Sequence, residues 1–297
     1  MKLYTLTLIS ALLTASVATF ADTPVQYGHN QHRSAVVHAE DLPSRLSDEN
    51  ALWKIELNKR PYFNAPQIDG DIAYAPMDAA GLPSEGPRNA AGMLCFNVKT
   101  GEILWEKILD DVRVDSWGAS IIPILEEDRI YWGVQKTATC MDRDGNVLWQ
   151  TNVGGPYVNS VHGTHSSGLV IGDYWWYPTG YSPGGDCPDW QNTSLDAPWH
   201  PNFVVINKHT GEIVAQDDTI VDEVQHGQWS SLSYGEVDGQ GMVFWGDGHG
   251  MVHAYRVPES FEEGKISTVE RLWTVDGNPP EYRVREDGVP MPYNDPM

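Results

Sequence analysis

Apolar and polar positions alternate along this chain in short runs, and no stretch of a dozen residues spaces its apolar side chains at three, four and seven. Runs of strand type, separated by Gly, Asp, Asn and Pro, predict an all-β protein. The runs recur. Cys95-Phe-Asn-Val-Lys-Thr-Gly101-Glu-Ile-Leu-Trp105 reappears as Cys140-Met-Asp-Arg-Asp-Gly145-Asn-Val-Leu-Trp149 and as Val205-Ile-Asn-Lys-His-Thr-Gly211-Glu-Ile-Val-Ala215, with Ala in place of Trp. A fourth copy starts at Val252-His-Ala254-Tyr and, after an insertion, reaches Arg271-Leu-Trp273. Each reads as a strand, a turn whose Gly supplies a positive φ, and a second strand ending in an aromatic residue. The terminal Trp is of a size to fill the wedge between neighbouring units.

A second pattern precedes each copy: small or polar residues, an apolar pair, a turn and an aromatic strand. Examples are the stretches 64–74, 120–131, 166–175 and 230–244. Two hairpins make a four-stranded antiparallel unit. The units end near Trp105, Trp149, Ala215 and Trp273, at spacings that suit the blades of a β-propeller with loop insertions. The longest insertion, 181–201, is rich in Gly, Pro, Asp and Trp. About four blades are expected. Residues 51–57 read as an outermost strand carrying Trp53, which in a propeller completes the last blade. The fourth unit already has its own Trp273, so the pattern predicts an incomplete ring and a chain that is a fragment of a longer protein; the alternative is a four-unit propeller with an idle N-terminal strand.

Residues 1–21 carry one Lys, a largely apolar stretch and small residues up to Ala21, the pattern of a secretory leader cut after Ala21. The expected organisation is a signal peptide at 1–21, an N-terminal extension at 22–50 and a propeller domain at 51–297. Its location is then the periplasm or the medium, with no membrane span in the mature chain. The 297 residues hold 41 Asp plus Glu against 19 Lys plus Arg, a net charge of −22, which argues against a nucleic-acid partner. Three Cys are too few for a disulfide-built scaffold.

The repeat Ala-x-Asp-x-x-x-Gly-x-x-x-Trp resembles the quinoprotein-like (PQQ-like, and more distantly WD40-like) β-propeller repeats. Three further stretches resemble exported PQQ-like propellers of planctomycete-like and marine bacteria: MDAAGLPSEGPRNAAGMLCF at 77–96, HGQWSSLSYG at 226–235 and GNPPEYRV at 277–284. The resemblance implies seven or eight blades in a complete ring. It also offers two functional branches. Quinoprotein alcohol dehydrogenases bind PQQ and Ca²⁺ and carry adjacent Cys residues, which this sequence lacks. The propeller scaffold of the outer-membrane β-barrel assembly machinery has no cofactor and is usually a lipoprotein, whereas no Cys here lies near the leader's cut.

Among chemical candidates, His162, His165 and Ser166 form the densest polar cluster, and His226, Trp229 and Ser230 are its counterpart one blade later. Both precede an innermost strand, so both are expected at the mouth of the central channel, where loops of all blades converge. They are read as ligand-binding positions, with no metal assigned and no catalytic residue. Trp53, Trp105, Trp149 and Trp273, with Gly101, Gly145 and Gly211, are read as structural repeat positions. Cys95 and Cys140 read as core thiols, and Cys187 has no evident mate. Trp117, Trp229 and Trp245 could stack on PQQ, with Arg113 and Arg129 near its carboxylates. Trp190 and Trp199 could form a sugar platform. The preferred expectation is a non-catalytic scaffold that binds a partner protein or polymer on a propeller face, without cofactor. The alternative is a PQQ- and calcium-dependent dehydrogenase oxidising alcohols or sugars.

Overall fold

The computed structural model describes residue 26 and residues 51–58, 65–114, 121–134, 136–153, 166–180, 200–219, 230–248 and 250–279. They form four antiparallel blades. The first holds β1 (Gln67–Asp69), β2 (Ile72–Asp78), β3 (Ala90–Asn97) and β4 (Ile103–Arg113). The second holds β5 (Ile124–Leu125), β6 (Arg129–Val134), β7 (Thr137–Asp142) and β8 (Val147–Asn152). The third holds β9 (Leu169–Ile171), β10 (Tyr174–Pro178), β11 (Phe203–Asn207) and β12 (Ile213–Gln216). The fourth holds β13 (Ser233–Val237), β14 (Gln240–Gly246), β15 (Met251–Arg256) and β17 (Arg271–Asp276). The remaining strand, β16 (Ser267–Thr268), lies in the insertion between β15 and β17. Among the described residues there is no α-helix, only a 3₁₀ turn at Ala79–Gly81.

The middle strands of the first three blades read as continuous apolar runs because those blades are covered on both faces. Side chains alternate across a strand, so successive residues serve opposite neighbours. On β3, Ala91, Met93 and Cys95 face the second blade, where they meet Leu125, Ile130, Trp132 and Met141. Ala90, Leu94 and Phe96 of the same strand face the other way, onto Trp53, Ile55 and Leu57. Tyr131 and Cys140 of the second blade pack with Trp175, Tyr177 and Ile206 of the third. Trp176, Phe203 and Val205 then meet Leu232, Val243, Trp245 and Tyr255 of the fourth. Residues 51–57 were expected as a strand. They instead run without ladder hydrogen bonds, yet their Trp53, Ile55 and Leu57 still cover the first blade.

The blades are joined by a recurring contact. The Trp53 ring sits over Gly101, Trp105 over Gly145, and Trp149 over Gly211, so the Trp of one unit lies on the turn Gly of the next. Each indole N–H donates to a carbonyl of that turn: Trp53 to Val98 at 2.7 Å, Trp105 to Arg143 at 3.1 Å, Trp149 to Lys208 at 3.1 Å. All three glycines have φ between +74° and +81°, where a Cβ is disfavoured; at Gly101 and Gly211 it would also strike the indole, and at Gly145 it would lie in ordinary contact with it. Ion pairs fasten the same turns backward. Arg143 reaches Asp69 at 2.6 Å and Lys208 reaches Glu126 at 2.8 Å.

The contact changes where the sequence changes. Ala215 stands at the Trp position of the third unit and is fully buried. The insertion before β17 compensates. β16 adds to β12 in parallel, pairing Ala215 with Ser267 and Gln216 with Thr268. Phe261 from the same insertion packs edge-on against Tyr174 at 4.9 Å. Trp273 has no such cover among the described residues. It contacts Phe244 at 5.9 Å and stays 43% exposed, with Val275 beside it at 52%.

Candidate binding face

The two ends of the blades differ. At one end lie mostly tight turns: those between the first and second strands, such as Gly70 and Gly172, and the repeat turns with Gly101, Gly145 and Gly211; the β15–β17 insertion also leaves from this end and folds back onto β12. Antiparallel order sends every other connection out of the opposite end. The long connections β2–β3, β4–β5, β8–β9, β10–β11 and β12–β13 all leave from there. β1 and β5 come into contact, which sets the first strands of the blades on the inner side.

Ser166 and Ser230 stand at this end, just before β9 and β13. Ser166 is fully buried, whereas Ser230 is exposed with its Oγ lying against Gly246. The adjoining Ser167 N–H donates to Ser231 Oγ at 3.1 Å and ties the third blade to the fourth. His162, His165, His226 and Trp229 lie outside the described residues, as do Trp117, Cys187, Trp190, Trp199 and the side chain of Arg113.

Beneath the long connections is a buried polar knot that the repeat pattern did not reveal. Asp217 is fully buried directly after β12. Its carboxylate accepts from the backbone N–H of Asn202 at 2.7 Å, Phe203 at 3.2 Å and Thr219 at 3.2 Å, and from Asn202 Nδ2 at 2.9 Å. Asn202 Nδ2 also donates to the Thr219 carbonyl at 2.8 Å, and the Thr219 and Tyr255 hydroxyls meet at 2.7 Å. Thr179 donates to the Pro201 carbonyl at 2.7 Å. Desolvation outweighs these donors and raises the Asp217 carboxyl to about 6. The knot clamps both ends of the β10–β11 connection and the start of the β12–β13 connection onto the blades. The sequence signal was faint: Asn before a strand and Asp-x-Thr after its partner.

A second buried group lies in the fourth blade. His253 Nε2 meets Asp247 Oδ2 at 3.0 Å, its Nδ1 meets Thr274 Oγ1 at 2.9 Å, and its ring stacks on Trp245 at 5.4 Å. Asp247 Oδ1 also accepts the Met251 N–H at 2.9 Å, closing the turn between β14 and β15. Polar groups this deep must be paired, and here they pair with one another.

Two of the residues expected near PQQ, Trp245 and Arg129, do not fit that role. Trp245 is 3% exposed and stacked on His253, so it offers no open floor to a quinone. Arg129 lies at the tight-turn end, beside Asp128 and the Lys208 carbonyl. Among the described residues no three His, Cys, Asp or Glu side chains converge to hold a metal ion. Cys95 and Cys140 are free and buried, and desolvation raises both thiols to about 12. No helix among the described residues is long and apolar enough to cross a membrane.

No family model matches the sequence, and no curated protein is similar to it. Solved structures do resemble the fold. A europium-containing methanol dehydrogenase aligns with a TM-score of 0.52 at 11% identity, over 90% of this chain and 60% of its own. The quinohemoprotein alcohol dehydrogenase ADHIIG from Pseudomonas putida HK5 aligns with a TM-score of 0.50 at 14% identity, over 91% and 50%. BamB from Moraxella catarrhalis aligns at 0.37 and 11%, over 71% and 62%. The chain thus spans between half and just under two thirds of the length of these structures. At such identities the likeness is one of architecture, and the architecture is a β-propeller.

Proposed function

We propose that this chain is part of an exported, non-catalytic propeller that binds a partner protein or polymer at the loop-bearing end of its blades. The observation that carries the reading is the asymmetry of the two ends. Tight turns held by Trp–Gly contacts close most of one end, and the long β15–β17 insertion there is folded back onto β12. The other gathers the long connections on a rigid base, clamped by the Asp217 knot. The connections are rich in aromatic residues, including Tyr157, Tyr181, Trp190, Trp199 and Trp229. Aromatic side chains on rigidly anchored loops are the usual anchors of recognition surfaces. The exposed Trp273 and Val275 support a further proposal, that the working ring is larger than these four blades and that another blade covers this face. Export rests on the leader-like residues 1–21.

A photo-crosslinking amino acid at Ser230, on the loop-bearing end, and another at Asp144, in a repeat turn, test the reading in exported fractions. Crosslinks that concentrate at position 230 support it, and equal labelling at both positions overturns it. A parallel titration with PQQ and Ca²⁺ tests the competing chemistry. One-site binding with dye-linked alcohol oxidation would replace the scaffold reading by a dehydrogenase.

A further inference from the structure

The inner edge of the third blade is occupied by a side chain from far away in the sequence. β9 is the edge strand of its sheet, and Val170 at its centre stands opposite Trp175 of β10. The Val170 N–H donates to Gln26 Oε1 at 2.9 Å, and Gln26 Nε2 donates back to the Val170 carbonyl at 3.2 Å. Val170 is 1% exposed and Gln26 0%. One primary amide therefore satisfies both outward backbone groups of a residue that water does not reach. A carboxamide carries one donor and one acceptor at the spacing of a peptide group, so Gln26 does here what a further strand beside β9 would do. The ladder on the other side of β9 fixes Val170, so the receiving edge is preorganised.

We infer that this edge is a peptide-accepting site, filled in the resting protein by the chain's own Gln26, and that an extended polypeptide segment competes with it. The inference rests on the binding reading and narrows it. Main-chain N–H and C=O groups, or Asn and Gln side chains, complement the edge by strand addition, so the partner is a polypeptide. The Gln26 contact is then an intramolecular ligand, held at high effective concentration by its tether.

Hydrogen exchange at Val170 tests the site in the whole protein. Gln26→Met keeps the buried volume and removes the amide. We expect Val170 to exchange at least about tenfold faster in Gln26→Met than in the wild type. A synthetic peptide of residues 22–29, DTPVQYGH, should restore slow exchange in the variant and leave the wild type unchanged. The peptide DTPVMYGH should restore nothing. Equal exchange in variant and wild type, or rescue by both peptides, would overturn the inference. If Gln26→Met does not fold, the wild type alone decides: exchange of Val170 at the rate of an unpaired loop amide overturns the site. Crosslinking at position 230 and exchange at Val170 report different surfaces, so the two readings fail separately.

Discussion

Gly211→Ala places a methyl carbon 2.7 Å from Cε3 and 2.8 Å from Cδ2 of Trp149, and 3.0 Å from Thr151 Oγ1. Two costs follow. The backbone is at φ +81°, and an L-residue there loses about 1–2 kcal/mol. The indole must also retreat by about 1 Å to regain van der Waals contact, which overpacks the blade junction at a cost of about 1–3 kcal/mol. The retreat also weakens the Trp149 N–H bond to Lys208, worth about 1 kcal/mol net. The expected loss is about 2–6 kcal/mol. Gly172→Ala supplies the control, because its φ is +57° but its methyl would meet nothing within 4 Å. It should lose only the backbone part. Gly145→Ala belongs near the control, since Trp105 lies at an ordinary 3.4–3.5 Å from its methyl. Urea unfolding followed by Trp fluorescence reads all three. Equal destabilisation of Gly172→Ala and Gly211→Ala would refute the argument that the Trp–Gly contact joins the blades.

Three other outcomes are expected. The Asp217 carboxyl is raised from 3.8 to about 6, so between those values the folded state binds more protons than the unfolded. Stability should therefore fall as pH rises from about 4 to 6, by up to ~3 kcal/mol, and Asp217→Asn should flatten that slope in urea titrations at each pH. His253→Ala leaves Asp247 and the Thr274 hydroxyl without a common partner and removes the stack on Trp245; a loss of about 2–3 kcal/mol is expected. In a double-mutant cycle with Asp247→Ala the two losses should add to more than the double variant shows, and strict additivity would refute the network. Finally, Cys95 and Cys140 should resist iodoacetamide at pH 8 in the native protein and react after unfolding, as read by peptide mass spectrometry. Native labelling of either would contradict their burial and raised thiol values.

Much of this fold was legible from residue order alone. A hairpin with a Gly at the turn and a Trp at the end is local chemistry, and its recurrence identifies a blade wherever it occurs. The same locality marked Ala215 as the exception in the third unit. The role of the insertion before β17 was not legible, because β16 and Phe261 act on the blade before their own, and nothing in their spacing names that target. The Asp217 knot was equally hidden. It draws Asn202, Thr219 and Tyr255 from three elements, and an isolated Asp after a strand looks the same whether solvated or fully buried.

The sequence by itself determined the period, the strand order within each blade and the residues that join neighbouring blades, because strand alternation and turn geometry depend on residues a few positions apart. Only the tertiary structure decided which polar side chains are buried and which partners satisfy them. Gln26 shows the difference most plainly. It lies 144 positions from Val170, and its amide acquires meaning only when folding brings it to the edge of a strand that water cannot reach.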